Sequence, residues 1–382
     1  MARIYLDHAA TTPVRPDAVT AMVPLLGGGY NPSSLHAEGR AARAALDEAR
    51  ETVARVIGAG PREIVFTGSG SEADVLAVVG TARAQAGRGR HVVTTVAEHH
   101  AVLHAVEVLE RDGWSVTRLA VDRRGLVDPE AFASALTPET TLATVMLANN
   151  ELGVVQPVAE LARLARSRGV LFHTDAIQAA GWLPLDVRAL GVDLLSLSGH
   201  KFHGPKGVGA LYVRHRTPLE PLIVGGGQEQ GLRAGTEDVA GIAGFATALA
   251  LADAERPETA PRVAALRDRL EAGILAAIPD VVVNGAGAPR LPGILSVAFA
   301  GAPSDALLIR LDLEGIAASA GSACAAGSLE PSHVAAAIGL DERRRRSVVR
   351  FSLGRGTTER EIDEVVGRLP ALVAAVRVPL SV

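Results

Sequence analysis

Short apolar runs alternate with longer amphipathic stretches along this 382-residue chain. The runs at 63–67, 91–95, 115–119, 142–147, 170–174, 194–198 and 209–213 have strand length and strand composition, and turn residues separate them. Between them, 35–56, 72–84, 101–111, 129–136 and 158–168 carry Ala, Leu and Val at helical spacing among charged residues. That strand–helix alternation predicts an α/β fold with a mostly parallel, doubly wound sheet and helices on both faces. Ligands of such sheets bind beyond the carboxyl ends of the strands. Near 254–262 the sequence Ala-Glu-Arg-Pro-Glu-Thr-Ala-Pro-Arg reads as a break before a long helix over 263–277. Strands at 281–284 and 294–299 and a last helix at 359–376 then suggest a smaller α+β unit.

Composition narrows the class. The chain is 48% hydrophobic and 21% charged, which suits a globular enzyme of about two domains and argues against disorder. A net charge of −4 gives no general attraction to nucleic acid. The basic run at 343–346 follows Asp341 and Glu342 and reads as a solvated helix end. The first residues lack the apolar core of a leader, and no stretch approaches the ~20 apolar residues of a membrane span, so a cytoplasmic location is expected. Cys324 is the single cysteine, which excludes an intrachain disulfide framework; no metal site is expected.

Two scarce residues then draw attention. Of 38 basic residues only Lys201 and Lys206 are lysines, five apart in Ser-Gly-His-Lys-Phe-His-Gly-Pro-Lys-Gly. Arg stays charged, whereas a desolvated Lys can lose its proton and attack a carbonyl. Lys201 follows the apolar run at 194–198, so it approaches the strand-end crevice. Asp175 ends the preceding predicted strand, where a buried carboxylate needs a partner; a pyridinium nitrogen would serve, as would a helix cap. Phe-Thr-Gly-Ser-Gly-Ser-Glu (66–72) joins a strand to a helix through small residues, a place where backbone N–H groups can hold phosphate. Ser71 could equally be an ordinary N-cap. Together a phosphate cup, a strand-end Asp and a strand-end Lys form the set that pyridoxal phosphate requires.

With those residues in view, the chain resembles the cysteine desulfurases, pyridoxal-phosphate enzymes of the class V aminotransferase group with the fold type I architecture. The resemblance rests on Tyr-Leu-Asp-His-Ala-Ala-Thr-Thr-Pro (5–13), Asn-Asn-Glu-Leu-Gly-Val-Val-Gln (149–156), His-Thr-Asp-Ala-Ile-Gln (173–178), the segment 198–207 and Arg-Phe-Ser-Leu-Gly-Arg (350–355), in order from about residue 4 to 370. Ser-Ala-Gly-Ser-Ala-Cys-Ala (319–325) with Ser-Leu-Glu-Pro-Ser (328–332) looks like the NifS/IscS-type branch. It implies a large cofactor-binding domain over 14–257, and a small domain over 1–13 and 258–382 that carries the cysteine loop.

The resemblance also implies roles. Lys201 would hold pyridoxal 5'-phosphate and act as base, with Asp175 at the ring nitrogen and Asn150 and Gln178 near the ring hydroxyl. Gly70, Ser71, Ser198 and His200 match the phosphate cup, and His99 matches a histidine stacked on the ring that handles a thiol proton. His100 reads as a helix or surface residue. Thr236 matches a threonine that reaches the neighbouring subunit's phosphate, which implies a homodimer. Arg350 would grip the carboxylate of the substrate, L-cysteine, and Cys324 would take its sulfur as a persulfide. A sulfur-acceptor protein, an iron–sulfur scaffold or a tRNA-thiolation enzyme, is the implied partner, and neither nucleic acid nor membrane is. Selenocysteine lyases and other class V enzymes remain alternatives, although Cys324 speaks against simple transamination. Ser71 stands where the family usually has Thr, Val75 where Asn is common, and Ala325-Ala326 replace polar residues.

Overall fold

The computed structural model describes residues 3–28, 30–321 and 332–377. Among them the strands in chain order are β1 (Ile4–Tyr5), β2 (Ile64–Thr67), β3 (His91–Thr95), β4 (Ser115–Leu119), β5 (Thr140–Thr144), β6 (Leu171–Asp175), β7 (Leu194–Ser198), β8 (Gly209–Val213), β9 (Val281–Asn284), β10 (Ile294–Phe299), β11 (Ile316–Ala317) and β12 (Val348–Ser352). The main sheet has the order β2-β8-β7-β6-β5-β3-β4. It is parallel from β4 to β7, and β8 runs antiparallel to both of its neighbours.

Period-two burial explains why these runs become strands rather than helices. Val93, Ala143, Phe172 and Leu195 enter one apolar layer, while their chain neighbours Val92, Leu142 and Leu194 enter another on the opposite face. Both faces are covered, so the strands read as continuous apolar runs. A second core lies around the antiparallel sheet β9-β10-β12 and the parallel pair β1–β11. It packs Leu295, Val297, Val349 and Phe351 against the helices Ser304–Leu313 and Glu359–Val376.

Three expectations change. No break occurs near 254–262; one helix runs from Val239 to Ala277. Its Pro257 and Pro261 are four residues apart, on one helical face, and no residue between 250 and 262 is fully buried. The first half packs into the main core through Ile242, Phe245 and Leu249, the second into the other core through Leu266, Leu270 and Ile274. The prolines thus mark the crossing from one core to the other.

The expected helix over 72–84 starts at Gly70 and contains a wider π-helical turn at Leu76–Gly80. The strand expected at 142–147 spans Thr140–Thr144, yet Val145 and Leu147 still donate backbone hydrogen bonds to the carbonyls of His173 and Asp175. β12 and the helix Pro16–Gly28 had no sequence expectation, the former because Arg350 interrupts its apolar run.

Candidate active site

The carboxyl ends of β6 and β7 and the start of the helix Gly70–Val75 surround a cavity of about 390 Å³. Gly70 allows the helix to come this close. A Cβ there would lie 2.4 Å from Ile177 Cδ1 and 2.8 Å from Ser198 Cβ. Ser69 caps the helix by accepting from the Glu72 N–H, and the first-turn N–H groups of Gly70 and Ser71 have no carbonyl of their own helix to bond.

Lys201 follows β7 directly. Its Nζ donates to the carbonyls of Ala9 at 2.6 Å and Ala10 at 2.9 Å, and Gln178 Nε2 donates to the same Ala9 carbonyl at 2.8 Å. His200 Nδ1 lies 3.2 Å from Thr11 Oγ1. The segment 9–12 is thereby stitched beneath the lysine.

Asp175 ends β6 and is buried; its Oδ1 accepts from the Ile177 N–H at 2.8 Å. Burial raises its pKa, while that N–H and the positive charge of Lys201 pull it back. Arg350 comes from β12, in the other sheet, and only 1% of it is exposed. It donates to Asp7 Oδ1 and to the carbonyl of Asn150, both at 2.9 Å, and its Nε has no hydrogen-bond partner among the described residues. A buried guanidinium with a spare N–H suits an anion. His99 caps the helix His100–Arg111, its Nδ1 accepting from the Ala101 N–H at 3.2 Å. Burial, then Lys201 and the neighbouring histidines, lowers its pKa to about 4, so the ring is neutral and Nε2 carries its proton.

Gly70, Ser71, His99, Asn150, Asp175, Gln178, Ser198, His200, Lys201 and Arg350 all line this one cavity. Thr236 does not; it lines a separate pocket with Thr67, Gly68 and Glu237. Cys324 lies outside the described residues, but the flanks of its segment are visible. Ser332 Oγ donates to Glu151 Oε2, and a Cβ on Gly321 would sit 2.6 Å from that same oxygen. Lys206 is exposed on the cavity rim.

Sequence reasoning missed a layer of buried polar groups beneath Asp175: Asp74, Glu98 and His173. Glu98 Oε1 accepts from Thr95 Oγ1 and the Met146 N–H, and burial pushes its pKa up to about 8. The available signal was Asp74 in an otherwise apolar helical turn, and His173 two residues before Asp175 on one strand face.

A strand-end lysine and carboxylate facing an anion-ready helix start define the class. The chain belongs to the aminotransferase class-V family, whose profile matches residues 4–365. It is 47% identical over 381 residues to the cysteine desulfurase NifS of Azotobacter vinelandii, covering 99% of this chain and 94% of that one. Over 375 residues it is 45% identical to the cysteine desulfurase IscS of Dictyoglomus turgidum, covering 98% of this chain and 95% of that one. A solved NifS-like protein superposes with a TM-score of 0.92 at 36% identity, covering 98% of this chain and 100% of its own. Within class V the chain therefore belongs with the cysteine desulfurases of the NifS and IscS kind.

Proposed function

We propose that this protein removes sulfur from L-cysteine with pyridoxal 5'-phosphate as cofactor, leaving L-alanine and a persulfide on Cys324. The carrying observation is the convergence of Lys201, Asp175 and Arg350 on one cavity, in a chain whose relatives along nearly its whole length are desulfurases. The residues fit the cofactor. Lys201 is the amine that holds it, Asp175 the carboxylate for its ring nitrogen, and Asn150 and Gln178 the amides for its ring hydroxyl. The first-turn amides at Gly70 and Ser71, with Ser198 and His200, suit its phosphate. His99 offers a flat face for its ring.

When bound, the cofactor supplies an electron sink for the charge left at the substrate α-carbon. Arg350 binds the substrate carboxylate and fixes which bond faces the sink. Lys201 Nζ takes the substrate α-proton and later returns it to the same carbon. Asp175 holds the proton on the ring nitrogen. Cys324 Sγ, as thiolate, attacks the substrate sulfur; an S–S bond forms, the C–S bond breaks, and its electron pair stays with the β-carbon, which takes a proton and, with the α-proton returned by Lys201, gives alanine. His99, with Nδ1 committed to the Ala101 N–H, offers Nε2–H to the Cys324 thiolate and stabilises it, while the thiol proton itself leaves to solvent.

The reading extends to a large domain over 14–257 and a small one over 1–13 and 258–382; the core around β9-β10-β12, whose buried residues all fall in the second set, supports it. It also includes a homodimer in which Thr236 serves the partner's cofactor phosphate. Exposed Val23, Leu26 and Val224 support an interface. A sulfur acceptor, an iron–sulfur scaffold or a tRNA-thiolation enzyme, completes the cycle. No helix among the described residues is long and apolar enough to cross a membrane, and a cytoplasmic place is part of the proposal.

The test is incubation with L-cysteine and a thiol reductant without any keto acid. Alanine and sulfide should appear in equal amounts, and Cys324→Ala should abolish both. A Cys324→Ala protein releasing sulfide at the original rate would remove the persulfide from the scheme.

A further inference from the structure

The polar layer behind Asp175 has no task in the proposed chemistry. Asp74 lies in the helix Gly70–Val75 and is fully buried; neither carboxyl oxygen makes a hydrogen bond of ordinary geometry among the described residues, although the Ser196 hydroxyl lies close enough to stabilise its charge. His173 Nε2 is 3.8 Å from Asp74 Oδ1. That ring is also fully buried and already spanned, with Nδ1 2.8 Å from Thr144 Oγ1 and Nε2 3.0 Å from Ser196 Oγ. His173 and Asp175 share one face of β6, and Ser196 is the register partner of Asp175 on β7. Thr144, His173, Ser196 and Asp74 thus form a polar chain under the strand-end carboxylate.

The titratable groups facing Asp74 are Asp175 and His173 on β6 and Glu98 on the turn after β3. None supplies a cation. Burial holds His173 neutral, with its pKa down to about 3. A buried carboxylate with only a marginal hydroxyl donor and no counter-charge is unfavourable, whereas the neutral acid is tolerated. Burial first, then the negative charge of Asp175, raises the Asp74 pKa well above the usual range; the Ser196 hydroxyl opposes this and Glu98 adds to it.

We propose that Asp74 is a proton-bearing positioning residue: as the neutral acid it closes the Thr144–His173–Ser196 chain and leaves Asp175 as the carboxylate offered to the cofactor's ring nitrogen. The positioning role rests on the function proposed above for Asp175. The proton on Asp74 does not, and the experiment separates the two.

In the first arm, the full-length chain freed of cofactor is unfolded in urea from about pH 5 to pH 8, wild type beside D74N. The folded wild type keeps a proton that the unfolded chain releases near pH 4, so its folding constant falls relative to D74N by about tenfold per pH unit. Parallel stabilities across that range would overturn the proton assignment. In the second arm, the Kd for pyridoxal 5'-phosphate is measured by titration. D74N, neutral and of the same shape, should bind within about threefold of wild type, while Asp74→Leu and Ser196→Ala should weaken binding about tenfold or more. If Asp74→Leu does not fold, Ser196→Ala carries this arm. Wild-type affinity in Ser196→Ala, or a loss in D74N equal to that in Asp74→Leu, would overturn the positioning role even if the pH slope in the first arm stands.

Discussion

The site is assembled by two sheets that work differently. In the parallel sheet, Asp175 and Lys201 stand at or just beyond the ends of β6 and β7, so the backbone itself delivers them to the cavity. In the antiparallel sheet, Arg350 sits in mid-strand on β12 and reaches across with its side chain, steadied by Asp7 and the Asn150 carbonyl. In the proposed function the first arrangement is the platform for the cofactor. The second presents a single charge from another body, suited to recognising the end of a small substrate. On that proposal chemistry and recognition have separate supports and should fail separately.

The largest effect should come from the platform. Lys201→Ala is expected to lower alanine formation by about a thousandfold or more and to abolish the visible absorbance near roughly 400 nm that a lysine-held cofactor gives. Retained colour with lost turnover would break the assignment of Lys201 as the holding residue. A smaller effect should follow from Arg350→Lys, which keeps the charge but loses the fork. KM for L-cysteine should rise about 10- to 100-fold, with the bound cofactor's absorbance unchanged. A spectrum altered as strongly as KM would mean that the two supports are not separable.

The smallest effect concerns His99. Its ring signals should titrate near pH 4 by NMR, below the ordinary value of about 6.5. The unfolded chain takes up this proton near 6.5 and the folded chain near 4, so folding stability falls as pH drops through that window. His99→Gln should remove that part of the slope. Titration of His99 above pH 6 would end its role as a neutral Nε2–H donor.

How much could be read beforehand depended on whether a residue's surroundings were local. Lys201 was conspicuous because lysine is otherwise replaced by arginine, and Asp175 because it ends an apolar run. The strands of the main sheet were legible because both of their faces are buried. Arg350 came only through resemblance, since the contacts that bury it are 200 and 343 residues away. Asp74 and His173 looked like ordinary polar positions. They are buried only because the helix beginning at Gly70 stacks over the sheet at β7 and β8, which no local pattern records. The supposed break near 254–262 misled for a related reason: polar and proline residues marked the gap between two cores, and the helix simply bridges it.

That helix has a mechanical meaning. At 1.5 Å per residue its 39 residues make a rod of roughly 58 Å, anchored in both cores. Changing the angle between the cores would bend this rod and strain its hydrogen bonds. The position of the Arg350 clamp is therefore tied to that of the Asp175 platform through one beam, as the two jaws of a calliper are.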